Sequence, residues 1–233
     1  MSEIQFGEQG DKPRPEEVLE NPFPFGEVPT YLDVLPESGR EVLVIGDVER
    51  CREFNHRQGD NPYGFQGTCG LVSCEDVLRQ FGVEVSEADV VRHAAVSGLC
   101  EISSVAAECG GTTEWSQARI LTDAGIPAHA EFGQSISDLT EWVSQGRGVI
   151  IEVNAGELWN NPQAYDGGRA NHAICLTGAA IDPMNGELMG FYINDSGRAY
   201  PGDSGRFIPV DLMQRMWCDA GGGAVITDAV RAH

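Results

Sequence analysis

Apolar residues recur at Leu71, Cys74, Val77, Leu78 and Phe81, a spacing of three and four that lays one stripe along a helix. Gly82 stops that helix and the Gly67-Thr68 turn starts it, so Cys69 falls at or just before its first turn. Ser86 followed by Glu87 and Asp89 predicts a capped helix running through Val90, Val91, Ala94 and Ala95 to Gly98. Further helices are expected over 113–124 and over 138–145 with Ser137 as cap, and a short one near 210–217. Continuous apolar runs predict strands at 41–47, 149–153, 171–178 and 190–197, with shorter ones at 127–132 and 224–227. Asp182-Pro183-Met184-Asn185-Gly186 is turn chemistry that joins the 171–178 and 190–197 strands into a hairpin. The polar stretch 49–64 reads as a connection leading to the Cys69 turn. Helices come first and strands mostly later, the order of an α+β domain with an antiparallel sheet.

Composition divides the chain in two. Residues 1–40 are rich in Pro, Glu and Gly and lack apolar periodicity, so they read as an extended arm, a segment suited to docking on a partner or on secretion machinery. Residues 41–233 carry the periodic elements and are expected to form the catalytic domain. A net charge of −21 sets the surface against phosphate backbones, so nucleic acid is not an expected partner. Neither a membrane-spanning run nor the basic and apolar regions of a secretory signal are present, so no membrane partner is expected. The expected location is cytoplasmic, or outside the cell by a non-classical export route. Seven cysteines without a CxxC pair argue against structural zinc and against a complete disulfide set, and reduced thiols are expected. Phosphate-binding glycine motifs and His/Cys ligand clusters are lacking too, so no cofactor and no metal are expected.

The chemistry points to Cys69. Unpaired N–H groups and the positive end of a helix dipole favour a thiolate at a helix start, and the thiolate is the nucleophile. Cys74 competes with it but belongs to the buried stripe. About 100 residues on, His172 opens an apolar strand, and Asn194-Asp195 ends the next one. Cysteine, then histidine, then Asn or Asp in this order is a nucleophile, base and orienting group. Strand parity bears on the third member. Residues 172, 174 and 176 share a face; an even-length hairpin loop selects Asp195, and an odd one selects Asn194.

Cys69-Gly70 with Leu78 and Phe81-Gly82, Asn171-His172-Ala173 with Thr177-Gly178, and Ile193-Asn194-Asp195 together make a pattern. It resembles the papain-like cysteine peptidases, most of all the C39-like branch related to bacteriocin-leader peptidases, over roughly residues 60 to 228. The resemblance implies a papain-like α+β fold, with a Cys-bearing helix packed on an antiparallel sheet that carries His and Asp. It implies a cysteine peptidase that cleaves a peptide or protein substrate through a Cys69–His172–Asp195 triad and a thioester. It also implies an oxyanion-hole Gln, usually six residues before the Cys. Position 63 is Tyr here, and Gln66 is the nearest Gln, only three residues before Cys69. The same triad also serves Gln deamidation or transglutamination, as in an effector or toxin, and the fold without the activity would be a binding module.

Overall fold

Ser86, Thr113 and Ser135 precede three of the four longest helices, each at the position where a side chain or its partner satisfies free N–H groups. The computed structural model describes residues 28–35, 38–198, 200 and 202–230. Its helices are α1 (Val48–Arg52), α2 (Cys69–Gln80), α3 (Glu87–Ser97), α4 (Glu114–Asp123), α5 (Ile136–Ser144), α6 (Ala155–Leu158) and α7 (Val210–Met213). A π-helical turn, Gln214–Cys218, continues α7. The strands are β1 (Thr30–Val34), β2 (Glu41–Ile45), β3 (Ala128–Glu131), β4 (Arg147–Val153), β5 (His172–Ile181), β6 (Leu188–Asn194), β7 (Ser204–Pro209) and β8 (Ala224–Val230).

All strand pairings are antiparallel. The order β1-β2-β5-β4-β8-β3 is joined at β5 by β6, which in turn pairs β7. The long β5 therefore holds its first half against β4, its second half against β2, and its opposite edge against β6.

Alternation along the central strands fills two cores. Ile150, Ala173, Cys175 and Val225 face α2, α3 and α4, where they meet Leu71, Val77, Val90 and Ile120. Their neighbours Ile151, Ile174, Leu176, Ala224 and Ile226 face the other way, onto Leu139, Met213, Met216 and Trp217. The sheet is thus buried on both faces, which is why its central strands read as unbroken apolar runs. The stripe on α2 is the expected one: Leu71, Cys74, Val77 and Leu78 are fully buried.

Four differences from the sequence reading have local causes. The arm expected over 1–40 lies outside the described residues up to 27, but Thr30–Val34 is an edge strand paired along its length with β2. The cap of α5 is Ser135 rather than Ser137, because Asp138 stands three residues after Ser135 and accepts its N–H at 2.8 Å. Part of the 49–64 connection is helical, since Asp47 caps a single turn that buries Val48 and Cys51. Strand β7, unforeseen, pairs β6 despite its Gly205 and Arg206. No helix among the described residues is long and apolar enough to cross a membrane.

Candidate active site

Cys69 is the first residue of α2 and is partly exposed. Thr68 before it is fully buried, and its hydroxyl does not cap the helix but donates to Glu87 Oε1 at 2.7 Å. Glu87, buried in the first turn of α3, also accepts from the Gly59 N–H (2.9 Å), the Asp60 N–H (2.8 Å) and Asn61 Nδ2 (2.9 Å). One carboxylate thereby ties the 59–61 loop to the residue that sets up Cys69.

His172 begins β5 opposite Val153 and is buried. Its Nε2 lies 2.8 Å from Asp195 Oδ1, and Cys69 stands beside the same imidazole on the wall of one cavity. The Asp195 carboxylate also accepts from the Gly197 N–H at Oδ1 (2.9 Å) and from the Trp159 indole N–H at Oδ2 (2.7 Å). The Trp159 ring leans on His172 with centroids 5.0 Å apart. Gly197 permits this closeness: a Cβ there would stand 2.5 Å from Trp159 and 3.0 Å from His172.

Burial alone would lower the pKa of His172. The hydrogen bond to Asp195, then the neighbouring Cys69 and its charge, outweigh it and carry the imidazole up to about 10. Burial pushes Asp195 up, but His172, Trp159 and the Gly197 N–H together hold its carboxyl below the usual range. The arrangement is a thiol, an imidazole and a carboxylate in series, each able to stabilise the charge on the next.

Among the cysteines, Cys74 is wholly buried against the Gln117 carbonyl, and burial raises its thiol pKa well above the ordinary value. A thiol so placed stays protonated and unreactive. Asn194 faces away from His172: its amide donates to Asp76 Oδ2 (2.9 Å) and the Cys51 carbonyl, and its Oδ1 accepts the Gly205 N–H.

Gln66 does not reach the cleft. It is exposed, and its amide lies over Gly59, where a Cβ would be 2.7 Å from Oε1. The cleft of about 610 Å³ beside Cys69 and His172 is lined instead by Gln58. Gln58 is fixed by its N–H to the Ser196 carbonyl (3.0 Å) and by Nε2 to the Gln66 carbonyl (2.6 Å). It stands eleven residues before Cys69, because the loop held by Glu87 is inserted between them. No spacing along the chain signals it. Trp159 left no signal of its role either, since its N–H is spent on Asp195, 36 residues away. Glu152, also on the cleft, does leave a signal: it is the one charged residue in the run Val149–Val153.

The fold, helices packed on an antiparallel sheet, is similar to that of a C39-like peptidase structure. A crystal structure from Bacillus anthracis, provisionally designated a C39-like peptidase, matches with a TM-score of 0.53 and 14% identity, covering 76% of this chain and 94% of that one. No family model matches the chain. Uncharacterized proteins of Mycobacterium tuberculosis (strain H37Rv) and Mycobacterium bovis are 26% identical over 102 residues. That segment is 42% of this chain and spans 41% of the length of each relative.

Proposed function

We propose that the protein is a cysteine peptidase in which Cys69 attacks the scissile carbonyl, His172 moves the proton and Asp195 orients the imidazole. The observation that carries this reading is the placement of Cys69 beside His172, itself hydrogen-bonded to Asp195, at the edge of an open cleft. The Cys69 thiolate bonds to the carbonyl carbon, and the His172 imidazolium gives its proton to the leaving amine as the peptide C–N bond breaks. Water then attacks the thioester, His172 takes its proton, and the thiol is released with the new carboxylate. The oxyanion would be met by the N–H of Cys69 at the start of α2 and by the side chain of Gln58. Gln66 is not part of this proposal.

The test is mass spectrometry of a peptide library incubated with wild type and with Cys69→Ala. Cleavage by wild type alone, with an acyl adduct trapped on Cys69, supports the reading. Cleavage of equal extent by both proteins overturns it. Ammonia release from peptide glutamine without backbone cleavage would assign the chemistry to side-chain amides.

A further inference from the structure

We infer that the cleft selects a peptide substrate bearing a lysine or arginine, whose cationic head is held by a wall of Glu101, Glu108, Glu114 and Glu152. The inference rests on the peptidase reading of the same cleft and adds its substrate class.

All four glutamates line the cavity that contains Cys69 and His172, and neither Lys nor Arg lines it. Among the described residues none of the four is in an ion pair. Acidic side chains are in excess throughout this chain, so acidity alone decides nothing. Position does. Glu152 extends from β4 between the buried Ile151 and Val153, where a residue serving only solubility has no reason to be. A Cβ on Gly223 would lie 2.9 Å from Glu114 Oε1 and 3.8 Å from Glu152 Cβ, so these two acids crowd one end of the wall. A Cβ on Gly111 would lie 2.9 Å from Glu101 Oε2, which lays that carboxylate along the wall. Burial, with the charge of Glu114 added, pushes the Glu152 carboxyl up to about 7 against the N–H of Gln117, and an arriving cation would relieve this.

Gln117 is a second, independent observation. Its side chain is wholly buried and lines the same cavity. Nε2 donates to Glu152 Oε1 (2.6 Å) and Thr112 Oγ1 (3.1 Å), while Oε1 has no hydrogen-bond partner. The wall is thus backed by a buried, unmet amide oxygen beside the carboxylates, an excess of acceptor charge. Ammonium and guanidinium groups carry several N–H donors and no acceptor, so they complement it in both charge and hydrogen bonding. An acidic peptide would meet only repulsion.

The test separates binding from chemistry. Fluorescein-labelled hexapeptides alternating alanine with arginine, or alanine with citrulline, are titrated onto the Cys69→Ala protein and followed by anisotropy. The alternation samples every register of the cleft. The arginine peptide is expected to bind at least about tenfold tighter than the citrulline peptide. Adding Glu101→Gln and Glu114→Gln is expected to remove most of that preference. The same charge change at the exposed Glu141 and Glu187, outside the cleft, should leave it intact. Equal binding of the two peptides, or equal loss from the remote pair, overturns the inference. Cleavage of the arginine peptide by wild type is scored separately. Its absence alongside a preserved binding preference counts against the peptidase reading and leaves the acidic wall standing.

Discussion

Asn194 and Asp195 are neighbours in the chain, yet their side chains serve opposite faces of the sheet. Asn194 donates to Asp76 on the Cys-bearing helix, while Asp195 accepts from His172 on the other side. Two irregularities in the β5–β6 pairing make this outcome instructive. The register shifts between Leu176 and Gly178 and shifts back between Ala180 and Ile181, so Leu176 pairs Ile193 with the parity of the Ile181–Leu188 pair beside the loop. The shifts cancel, and the odd residues of β6 keep the His172 face.

Substitution at the two positions should therefore fail in different ways. Asp195→Ala is expected to lower kcat/KM about 10²- to 10⁴-fold, since the imidazole loses its orienting acceptor. Asn194→Ala leaves Asp76 and the Gly205 N–H without their buried partner and should cost about 1–3 kcal/mol of stability. Urea denaturation beside peptidase kinetics distinguishes them; a stable but inactive Asn194→Ala protein would contradict the assignment.

Trp159→Phe keeps a ring against His172 but removes the N–H donated to Asp195 Oδ2. The expected loss is about tenfold in kcat/KM or more, as for other groups that orient a reacting side chain, with the melting temperature little changed. An unchanged rate would show that the indole N–H is dispensable.

The pH profile follows from His172. Its pKa in the folded protein is about 10, against 6.5 as the ordinary value, so it binds a proton that the unfolded chain gives up between these limits. Its contribution to stability is full below pH 6.5 and is lost as pH rises through 10. On the proposed peptidase mechanism the imidazolium that protonates the leaving amine survives over the same range, so activity should hold past pH 8 and fall toward pH 10. Asp195→Asn weakens the strongest upward influence, and its alkaline limb should move down by a unit or more, read from kcat/KM against pH.

Asp76 carries the same sign over a lower pH range. Burial first, then Glu75, raise its carboxyl to about 7 in the fold against 3.8 as the ordinary value, despite the Asn194 hydrogen bond. Between these limits the folded state binds the extra proton, so stability falls as pH rises from about 4 to about 7. Asp76→Asn should remove this slope and leave the protein more stable relative to wild type at pH 8 than at pH 5. Thermal melts across pH check it, and parallel curves for the two proteins would refute it.

Glu87→Gln tests the loop clamp. It preserves shape but turns an acceptor into a donor among the Gly59, Asp60, Asn61 and Thr68 donors, at a cost of about 1–3 kcal/mol. Because the loop carries Gln58 and leads to Cys69, kcat should fall more than KM rises. A change confined to stability would limit Glu87 to a structural role.

Periodicity determined the buried stripe of α2, with Cys69 at or just before its first turn, and the apolar strands; parity left Asp195 and Asn194 both open, and the register of the folded hairpin decided for Asp195. Each depends on side-chain direction, which the backbone repeats every two or every 3.6 residues. Cys74 was likewise legible as a stripe residue, since its burial follows from the same repeat. The short α1, strand β7 and the edge strand β1 escaped notice because their local patterns are weak and pairing with neighbours supplies their order. The remainder was decided by packing between distant segments. Gln58 rather than Gln66 lines the cleft because Glu87, from the next helix, gathers the intervening loop; Trp159 meets Asp195 across 36 residues; and Glu152 joins Glu114 and Gln117 only when β4 lies beside α4. Spacing along the chain carries no record of contacts between surfaces that meet only on folding, so the order of Cys69, His172 and Asp195 was readable, and the walls around them were not.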